Sequence, residues 1–233
     1  MDSRGGCMKG ENISVADRVR QRFSARAYLD KAVAKETIEQ ILDSARWSPS
    51  GANLQPWHVM VVRGKTKEQL TSQIMQTFEA GNKAQPDYPY YPEKWFEPYQ
   101  SRRFKTGMAL YNALGIERKD KERREAQWKA NYDFFGAPVG LIFLVDKRLG
   151  HGCWVDMGMF FQSVMLIASD FGLSTCPQAA LGDYPDIVRN VLGLPDNLLV
   201  MCGIALGYAD NKHPVNNYRT ERETVDSFTS WFD

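Results

Sequence analysis

The chain has 233 residues, of which 43% are hydrophobic and 24% charged, as is ordinary for a folded globular protein. Its 29 Lys and Arg balance 28 Asp and Glu, so the formal net charge of +1 gives no general attraction to nucleic acid or to an anionic membrane. The apolar stretches look shorter than the roughly 18 to 20 residues that span a bilayer, and Met1 to Asn12 lack an apolar signal core, which together predict a cytoplasmic protein.

The first elements along the chain are two helices and a strand. Ser14, followed three residues later by Asp17, is typical of a helix start and predicts a short basic helix from Val15 to Arg22. One-face spacing predicts a second helix that stops at Ser48-Pro49-Ser50-Gly51, with apolar positions Ile38, Ile41, Leu42 and Ala45. Trp57 to Val62 then predicts a buried strand.

The middle of the chain predicts a helix, an irregular segment and a second helix. Leu70, Ile74 and Phe78 recur at helical spacing. Gln85 to Tyr99 is rich in proline and aromatic residues and has no clear period, which predicts a loop or lid. The dense mixture of charges from Gly115 to Asn131 predicts a solvent-exposed helix.

The second half of the chain carries most of the apolar signal. Val139 to Val145 and Leu198 to Leu206 predict buried strands. Trp154 to Phe171 is apolar around most of a helix surface, which predicts a helix buried nearly all round in a core or a subunit interface. The tail is polar until a late set of apolar residues that need a surface to pack against, namely Val225, Phe228, Trp231 and Phe232.

Strands and helices are interspersed throughout, without an internal repeat or a linker. This order favours one α+β domain over residues 1–233. Within it, residues 85–130 form a helical or lid insertion and residues 211–233 a C-terminal arm.

The sequence lacks the motifs of several common kinds of catalytic and binding site. The four cysteines form no CxxC pair and the three histidines no HExxH pair, which favours reduced structural thiols and no metal site; these residues are Cys7, Cys153, Cys176, Cys202, His58, His151 and His213. No GxSxG, GxGxxG or GxxxxGK[ST] occurs. If the protein binds a nucleotide cofactor, arginines and backbone N–H groups must therefore hold its phosphate.

Two segments remain that carry binding chemistry. In Arg22-Phe23-Ser24-Ala25-Arg26, an extended backbone would point both guanidiniums and the hydroxyl to one side, where they could grip a phosphate or a polar ring edge. In the segment from Ser48 to Trp57, the Asn53 amide can both donate and accept hydrogen bonds, and Gly51 allows close backbone approach. The plainer alternatives are exposed arginines beside a turn serine, and a simple helix-to-strand turn.

These two segments, followed in order by Gly172-Leu173-Ser174-Thr175-Cys176-Pro177-Gln178 and Asn217-Tyr218-Arg219-Thr220-Glu221-Arg222, resemble the FMN-dependent nitroreductase family over nearly the whole chain. The resemblance implies a mixed, largely antiparallel sheet flanked by helices, in an intertwined homodimer with FMN at the subunit interface. It also implies NAD(P)H as the electron donor and a small aromatic electron acceptor.

The resemblance assigns cofactor contacts to four groups of residues. The FMN phosphate, ribityl chain and pyrimidine side would meet Arg22, Ser24 and Arg26. The partner subunit would contribute Pro49, Ser50, Gly51 and Asn53, and the backbone facing flavin N5 would be that of Gln178 and Ala179. The basic tail near the phosphate would be Arg219 and Arg222. Phe23 departs from the family pattern, because many relatives carry a basic residue or histidine there.

The implied reaction is a ping-pong cycle in which NAD(P)H gives hydride to flavin N5 and a nitroaromatic or quinone-like acceptor then takes it. No side chain is assigned as a catalytic acid or base. A fixed guanidinium near flavin N1 and the C2 carbonyl would stabilise the negative charge of the reduced ring.

Some alternatives stay open at this point. The same fold also serves reductive dehalogenation and flavin breakdown, and a non-catalytic flavin-binding protein could use the charged segment Gly115 to Asn131 for partners. The aromatic residues of the irregular segment could stack on a flat acceptor or pack locally; they are Tyr88, Tyr90, Tyr91, Trp95, Phe96 and Tyr99.

Overall fold

A computed structural model describes residues 13–232 of the chain. The predictions made for Met1 to Asn12 and for Cys7 lie outside these residues. Within them the helices are α1 Val15–Gln21, α2 Lys35–Ala45, α3 Gly64–Glu79, α4 Tyr99–Ala113, α5 Lys121–Lys129, α6 Gly152–Asp170 and α7 Pro185–Leu192. The strands are β1 His58–Arg63, β2 Val139–Asp146, β3 Ser174–Gln178 and β4 Leu198–Gly207.

The four strands form one antiparallel sheet in the order β1-β2-β4-β3. Successive side chains of β2 point to opposite faces, as the pleat of a strand requires. Leu141 and Phe143 join the hydrophobic core that the sheet shares with α2 and α6. Ile142 and Leu144 join the core shared with α3 and α7. Helices thus cover both faces of the sheet, and the predicted α+β class is confirmed.

The predicted helix start at Ser14 is confirmed. The Ser14 Oγ accepts a hydrogen bond from the backbone N–H of Asp17 at 3.1 Å and caps α1. At its other end, the helix leaves Arg22 in the first extended position after the last turn. The helix therefore sets where the arginine segment begins.

The strand predicted at Trp57 to Val62 is present, but the prediction that it is buried is wrong. β1 lies at the edge of the sheet and pairs only with β2, so of its residues only Val62 is buried.

The charged helix predicted from Gly115 to Asn131 is shorter in the structure. Gly115, at a φ of 60°, follows the end of α4, and α5 begins only after Asp120, whose carboxylate accepts a hydrogen bond from the N–H of Arg123.

The long apolar helix α6 is buried on one face rather than nearly all round. Met157, Phe160 and Val164 lie in the core, whereas Val155 is 67% exposed. Among residues 13–232, α6 is the one helix long and apolar enough to cross a membrane by length and composition alone, which corrects the expectation that the chain has no such stretch. In this fold its inner face packs against α2 and β3.

Candidate functional site

A cleft of about 630 Å³ lies where the end of α1, the extended segment after it, α4 and the C-terminal segment meet. It is lined by five arginines and by no carboxylate; the arginines are Arg20, Arg22, Arg26, Arg219 and Arg222. The other lining residues are Val19, Phe23, Ser24, Thr106, Tyr218 and Thr220. A cleft with this lining favours an anionic ligand.

The extended segment is held in place by β3. Ser24 forms a parallel bridge with Thr175, and the N–H of Ala25 donates to the Thr175 carbonyl at 3.0 Å. Ala25 is fully buried. Because side chains alternate along an extended backbone, burial of Ala25 turns Ser24 and Arg26 away from the core. The structure thus brings Arg22, Ser24 and Arg26 to the same cleft.

Arg22 carries the least satisfied guanidinium of this set. Its Nη1 is buried and has no hydrogen-bond partner among the described residues. Burial lowers the pKa of Arg22, and the nearby charge of Arg222 lowers it further. A buried donor without an acceptor costs free energy, so this nitrogen is suited to receive an anionic oxygen from a ligand.

Arg26 is oriented by the C-terminal segment. Its Nη1 donates to the Tyr218 hydroxyl at 3.1 Å and to the Ser24 carbonyl at 3.2 Å. Its backbone N–H donates to the Asn216 Oδ1 at 2.8 Å. The buried amide of Asn216 also donates to the carbonyls of Ala27 and Asp210, at 2.8 and 2.9 Å. Asn216 therefore ties the C-terminal segment to the arginine segment.

Arg219 and Arg222 form the outer part of the cleft. The Arg219 guanidinium lies over the Phe23 ring, 4.2 Å from its centroid, and its Nη1 donates to the carbonyls of Asn216 and Tyr218, each at 2.9 Å. Arg222 donates to the Thr220 Oγ1 at 2.7 Å. The aromatic side chain at position 23 thus orients Arg219 by a cation–π contact, where a basic residue would have repelled it.

Gln178 is the last residue of β3 and Ala179 follows it, and neither is part of the cleft lining. Gln178 is 3% exposed, and its Nε2 donates to the Asn131 carbonyl at 2.7 Å. Its Oε1 is buried without a partner among the described residues. The strand that pairs with Ser24 therefore ends at a second unsatisfied polar atom.

The turn that contains Pro49, Ser50, Gly51 and Asn53 lies elsewhere in the protomer. It packs on α6, where the N–H of Gly51 donates to the Asp156 Oδ1 at 3.1 Å. Three non-glycine residues of this turn have positive φ, namely Ala52 at 49°, Asn53 at 55° and Gln55 at 49°. Such conformations cost on the order of 1 to 3 kcal/mol each and persist where the surroundings impose them. Residues 51–55 are nevertheless exposed.

The aromatic residues of the irregular segment contact one another. Ring centroids are 4.7 Å apart in the pair Tyr90 and Tyr91, and 5.3 Å in the pair Tyr91 and Trp95. Tyr88 packs edge-on against Trp154 of α6 at 4.5 Å, and its hydroxyl donates to the Met201 carbonyl at 2.7 Å. Local packing is thus present, and Tyr90 and Tyr91 keep more than half of their surface exposed.

The described cysteines are free and buried; they are Cys153, Cys176 and Cys202. Burial raises the pKa of the Cys202 thiol to about 12 and also raises that of Cys176. Both thiols stay protonated near neutral pH and are poor nucleophiles. Residues 13–232 contain no group of three or more His, Cys, Asp or Glu that could hold a metal ion.

Sequence reasoning missed Asn216, Tyr218, Thr106 and Asp156. Asn216 directly precedes the basic C-terminal motif and Tyr218 lies within it, and only the pairing with Arg26 shows what they do. Thr106 reaches the cleft from α4, a helix that the sequence pattern did not predict. Asp156 is a buried acid in the apolar helix α6, and an acid in an apolar stretch was the available signal.

Comparison with known proteins gives consistent matches. The family model described as the nitroreductase family matches residues 19–208. The chain is 39% identical over 211 residues to a 4-nitrobenzoate reductase of Nocardioides sp. (strain LMS-CY), covering 89% of this chain and 85% of that protein. It is 35% identical over 218 residues to a nitrobenzene nitroreductase of Ectopseudomonas oleovorans, covering 93% and 96%.

Among solved structures, the FMN and NADPH-dependent nitroreductase NfnB from Sphigopyxis sp. strain HMH has a TM-score of 0.92 at 39% identity, covering 95% of this chain and 100% of that chain. NfnB from Mycobacterium smegmatis, solved in complex with NADPH, has a TM-score of 0.88 at 30% identity, covering 94% and 100%. The family-model match at residues 19–208 includes the arginine segment, the turn on α6 and the end of β3.

Proposed function

This chain belongs to the nitroreductase family, and from that premise we propose that it is an FMN-dependent NAD(P)H oxidoreductase that reduces nitroaromatic or quinone-like acceptors. The observation that carries the proposal is the cleft with five arginines, no lining carboxylate and one buried, unpaired guanidinium nitrogen.

The residues present fit FMN. Its phosphate carries up to two negative charges, and the cleft offers guanidinium donors and the Ser24 hydroxyl with no acid in the lining to repel it. We assign Arg22, Ser24 and Arg26 to the phosphate, ribityl and pyrimidine side, and Arg219 and Arg222 to the phosphate end. Gln178 and Ala179 would contribute from the end of β3.

We further propose that the site is completed by a second copy of this chain. Pro49, Ser50, Gly51 and Asn53 lie outside the cleft of their own protomer, on an exposed turn held in positive-φ conformations. An exposed turn that is nonetheless held rigidly is suited to meet a ligand bound to a neighbouring subunit. The exposed apolar face of α6, next to this turn, would form part of the homodimer interface.

FMN, when bound, would supply the two-electron chemistry that links oxidation of NAD(P)H to reduction of the acceptor. The chain itself contributes binding and electrostatics. Arg22 and Arg26 would place positive charge beside the bound flavin, where it would stabilise added electrons. Tyr218 orients the Arg26 guanidinium, and Asn216 holds the Arg26 backbone N–H. We assign no side chain as an acid or base, because proton transfer to the product can come from solvent.

The acceptor class rests on the relatives. One is a 4-nitrobenzoate reductase and another a nitrobenzene nitroreductase, at 39% and 35% identity. We therefore propose nitrobenzene-type compounds as acceptors.

The test is direct. Purified protein is titrated with FMN by fluorescence quenching, reduced anaerobically with NADPH or NADH, and then mixed with 4-nitrobenzoate, nitrobenzene or a quinone. We expect FMN binding, loss of the yellow colour on reduction and its return with an acceptor. Protein that ignores FMN contradicts the cofactor assignment, and protein that binds FMN but resists NAD(P)H is a flavin-binding protein without this activity. Reduced protein that none of these acceptors re-oxidises contradicts the acceptor class.

A further inference from the structure

A second cleft, of about 850 Å³, lies between α4, the turn after it and α5. Four cationic side chains and a single carboxylate line it, so its lining carries a formal charge of +3, from four positive charges less one negative. The cations are Arg103, Lys105, Arg118 and Arg124, and the carboxylate is that of Glu97. This net positive charge requires an explanation, because the chain as a whole is close to neutral.

None of these four cations forms a salt bridge with a carboxylate of the described residues. Their neighbours in the same region do, for Lys119 pairs with Glu117 and Lys129 with Glu79 and Glu125. The Nε of Arg124 is also buried without a hydrogen-bond partner among the described residues. The cleft thus collects positive charges without salt bridges, whereas the nearby carboxylates pair with cations outside the cleft.

The floor of the cleft is apolar and partly aromatic. Phe104, Met108 and Tyr111 follow one face of α4 at helical spacing, and the Arg124 guanidinium lies over the Tyr111 ring at 5.1 Å. Gly107 lies between them, and a Cβ built there would meet no atom within 4 Å. An open floor of this kind can receive a flat ring, and the stacked guanidinium, whose Nη1 donates to the Arg118 carbonyl at 3.1 Å, adds positive charge beside it.

This second cleft lies beside the cleft that five arginines line, which is called the arginine cleft from here on. Thr106 of α4 lines the arginine cleft, and its neighbours Lys105 and Gly107 line this one. A single helix, about 10 to 12 Å across with its side chains, therefore separates the two. A ligand that extends from one cleft towards the other meets both sets of cations.

We propose that the cleft between α4 and α5 binds the adenosine end of NADPH, with its cations holding the 2′-phosphate, an inference that rests on the proposed function for NADPH as the donor. A phosphomonoester has two negative charges and only acceptor oxygens, which matches a lining of donors. Adenine matches the aromatic floor. NADH lacks this phosphate, so the cleft makes the enzyme selective for NADPH.

The binding experiment uses the full chain and adenosine 2′,5′-bisphosphate, with adenosine 5′-monophosphate as the comparison, in isothermal titration calorimetry. We expect the bisphosphate to bind at least tenfold more tightly, and its affinity to fall as salt is raised. Equal affinity for the two nucleotides, or no binding of the bisphosphate, overturns the proposal.

The variant for this experiment is the double substitution Lys105→Gln and Arg118→Gln. Both side chains are exposed and make no hydrogen bond to a described residue, so the fold should be retained. We expect at least a tenfold loss of bisphosphate affinity. Lys121→Gln is the control, because it removes one positive charge of α5 that lies outside the cleft lining and should leave the affinity unchanged. Gly107→Leu fills the floor and should weaken both nucleotides.

Kinetics and FMN titration of the same variants separate this proposal from the proposed function. The double variant should bind FMN normally, raise KM for NADPH and leave turnover with NADH unchanged. If KM rises for 4-nitrobenzoate and not for NADPH, the cations serve the acceptor and the proposal is overturned. If wild-type protein binds no FMN, the proposed function fails, and the calorimetric comparison of the nucleotides still decides whether the cleft recognises the phosphate.

Discussion

Arg22 places a buried guanidinium nitrogen, without a partner among the described residues, at the wall of the arginine cleft. The neighbouring guanidinium of Arg26 is fixed by Tyr218 and by the Ser24 carbonyl. The two arginines therefore differ in what they can offer a ligand. Arg26 is already oriented, and Arg22 still has hydrogen-bonding capacity that an anion can use.

We predict that Arg22→Ala lowers FMN affinity by about 1.5 to 3 kcal/mol, the usual range for a hydrogen bond to a charged group. This corresponds to a rise in Kd of roughly tenfold to a hundredfold, measured by fluorescence titration. Arg63→Ala is the control, since Arg63 is exposed at the end of β1 and outside the cleft. Wild-type affinity in the Arg22 variant would show that the phosphate assignment is wrong.

Asp183 gives a prediction about pH. Its Oδ2 accepts a hydrogen bond from the Tyr132 hydroxyl at 3.0 Å, but burial raises the pKa of the Asp183 carboxyl above its ordinary value. The folded state therefore holds the proton more tightly than the unfolded state does. Stability from this group is present below the unfolded pKa and is lost as pH rises through the raised folded pKa.

Asp183→Asn removes that titration while keeping an acceptor for Tyr132. We expect the free energy of unfolding of the variant, relative to wild type, to increase as pH rises from about 4 to about 8. Urea unfolding at fixed protein concentration measures the difference at each pH. A difference that stays flat, or that declines with pH, would contradict the raised pKa.

At the scale of elements, the irregular segment from Gln85 to Tyr99 is attached to the rest of the fold near its first residues. The Asp87 carboxylate pairs with Arg189 of α7 at 2.7 Å and accepts the N–H of Val200 in β4 at 2.8 Å. Arg189 also donates to the Leu198 carbonyl. The hydrogen bonds that Arg189 donates to the Asp87 carboxylate raise the pKa of Arg189 above its usual range. One carboxylate thus joins the segment to a helix and to a central strand.

We predict that Asp87→Ala destabilises the fold by about 3 kcal/mol, because it leaves Arg189 largely buried without its main partner. The segment should also be cleaved faster in limited proteolysis, since its attachment to β4 is lost. Glu93→Ala, which removes an exposed acid from the same segment, is the control. If the two variants have the same free energy of unfolding and the same rate of proteolysis, Asp87 does not anchor the segment as proposed.

The elements also show how local signals compete with tertiary ones. Helix α2 and strands β2 and β4 were predicted because apolar residues repeat with the period of each structure. β3 was not predicted, since its five residues include Pro177 and owe their strand to pairing with β4. α4 has only a short apolar stripe, formed by Phe104, Met108 and Tyr111, and none of its residues is buried in the protomer. A helix of this kind leaves little periodic signal in the sequence.

At the scale of the whole molecule, large apolar side chains are exposed in several regions, and two of these regions bear on assembly. One is the outer face of α6 with the adjacent turn, including Val155 and Leu54. The other is the C-terminal tail, where Trp231 is 79% exposed. Exposed apolar patches of this kind mark interfaces, so they support the proposed homodimer. The single domain over residues 1–233, the insertion at 85–130 and the arm at 211–233 remain predictions.

We predict that Val155→Asp shifts the protein towards monomer and weakens FMN binding together with it, because a charge buried in an apolar interface is costly. Size-exclusion chromatography with light scattering measures the mass, and fluorescence titration measures FMN affinity. Val15→Asp in α1 changes a comparably exposed valine and should alter neither. A dimeric Val155 variant with normal FMN affinity would rule out this face of α6 as the interface.

The sequence by itself determined the fold class, most of the helices and strands, and the motifs by which the family can be identified, because periodicity and turn residues are local properties of the chain. Tertiary structure decided which of those motifs meet. Two contacts bring the arginine segment and the C-terminal segment into one cleft, namely the pairing of Ser24 with Thr175 and the hydrogen bond to the Asn216 amide. The turn at Gly51 is instead held on α6 by Asp156, away from that cleft. Such contacts join residues over a hundred positions apart, and no short-range pattern encodes them.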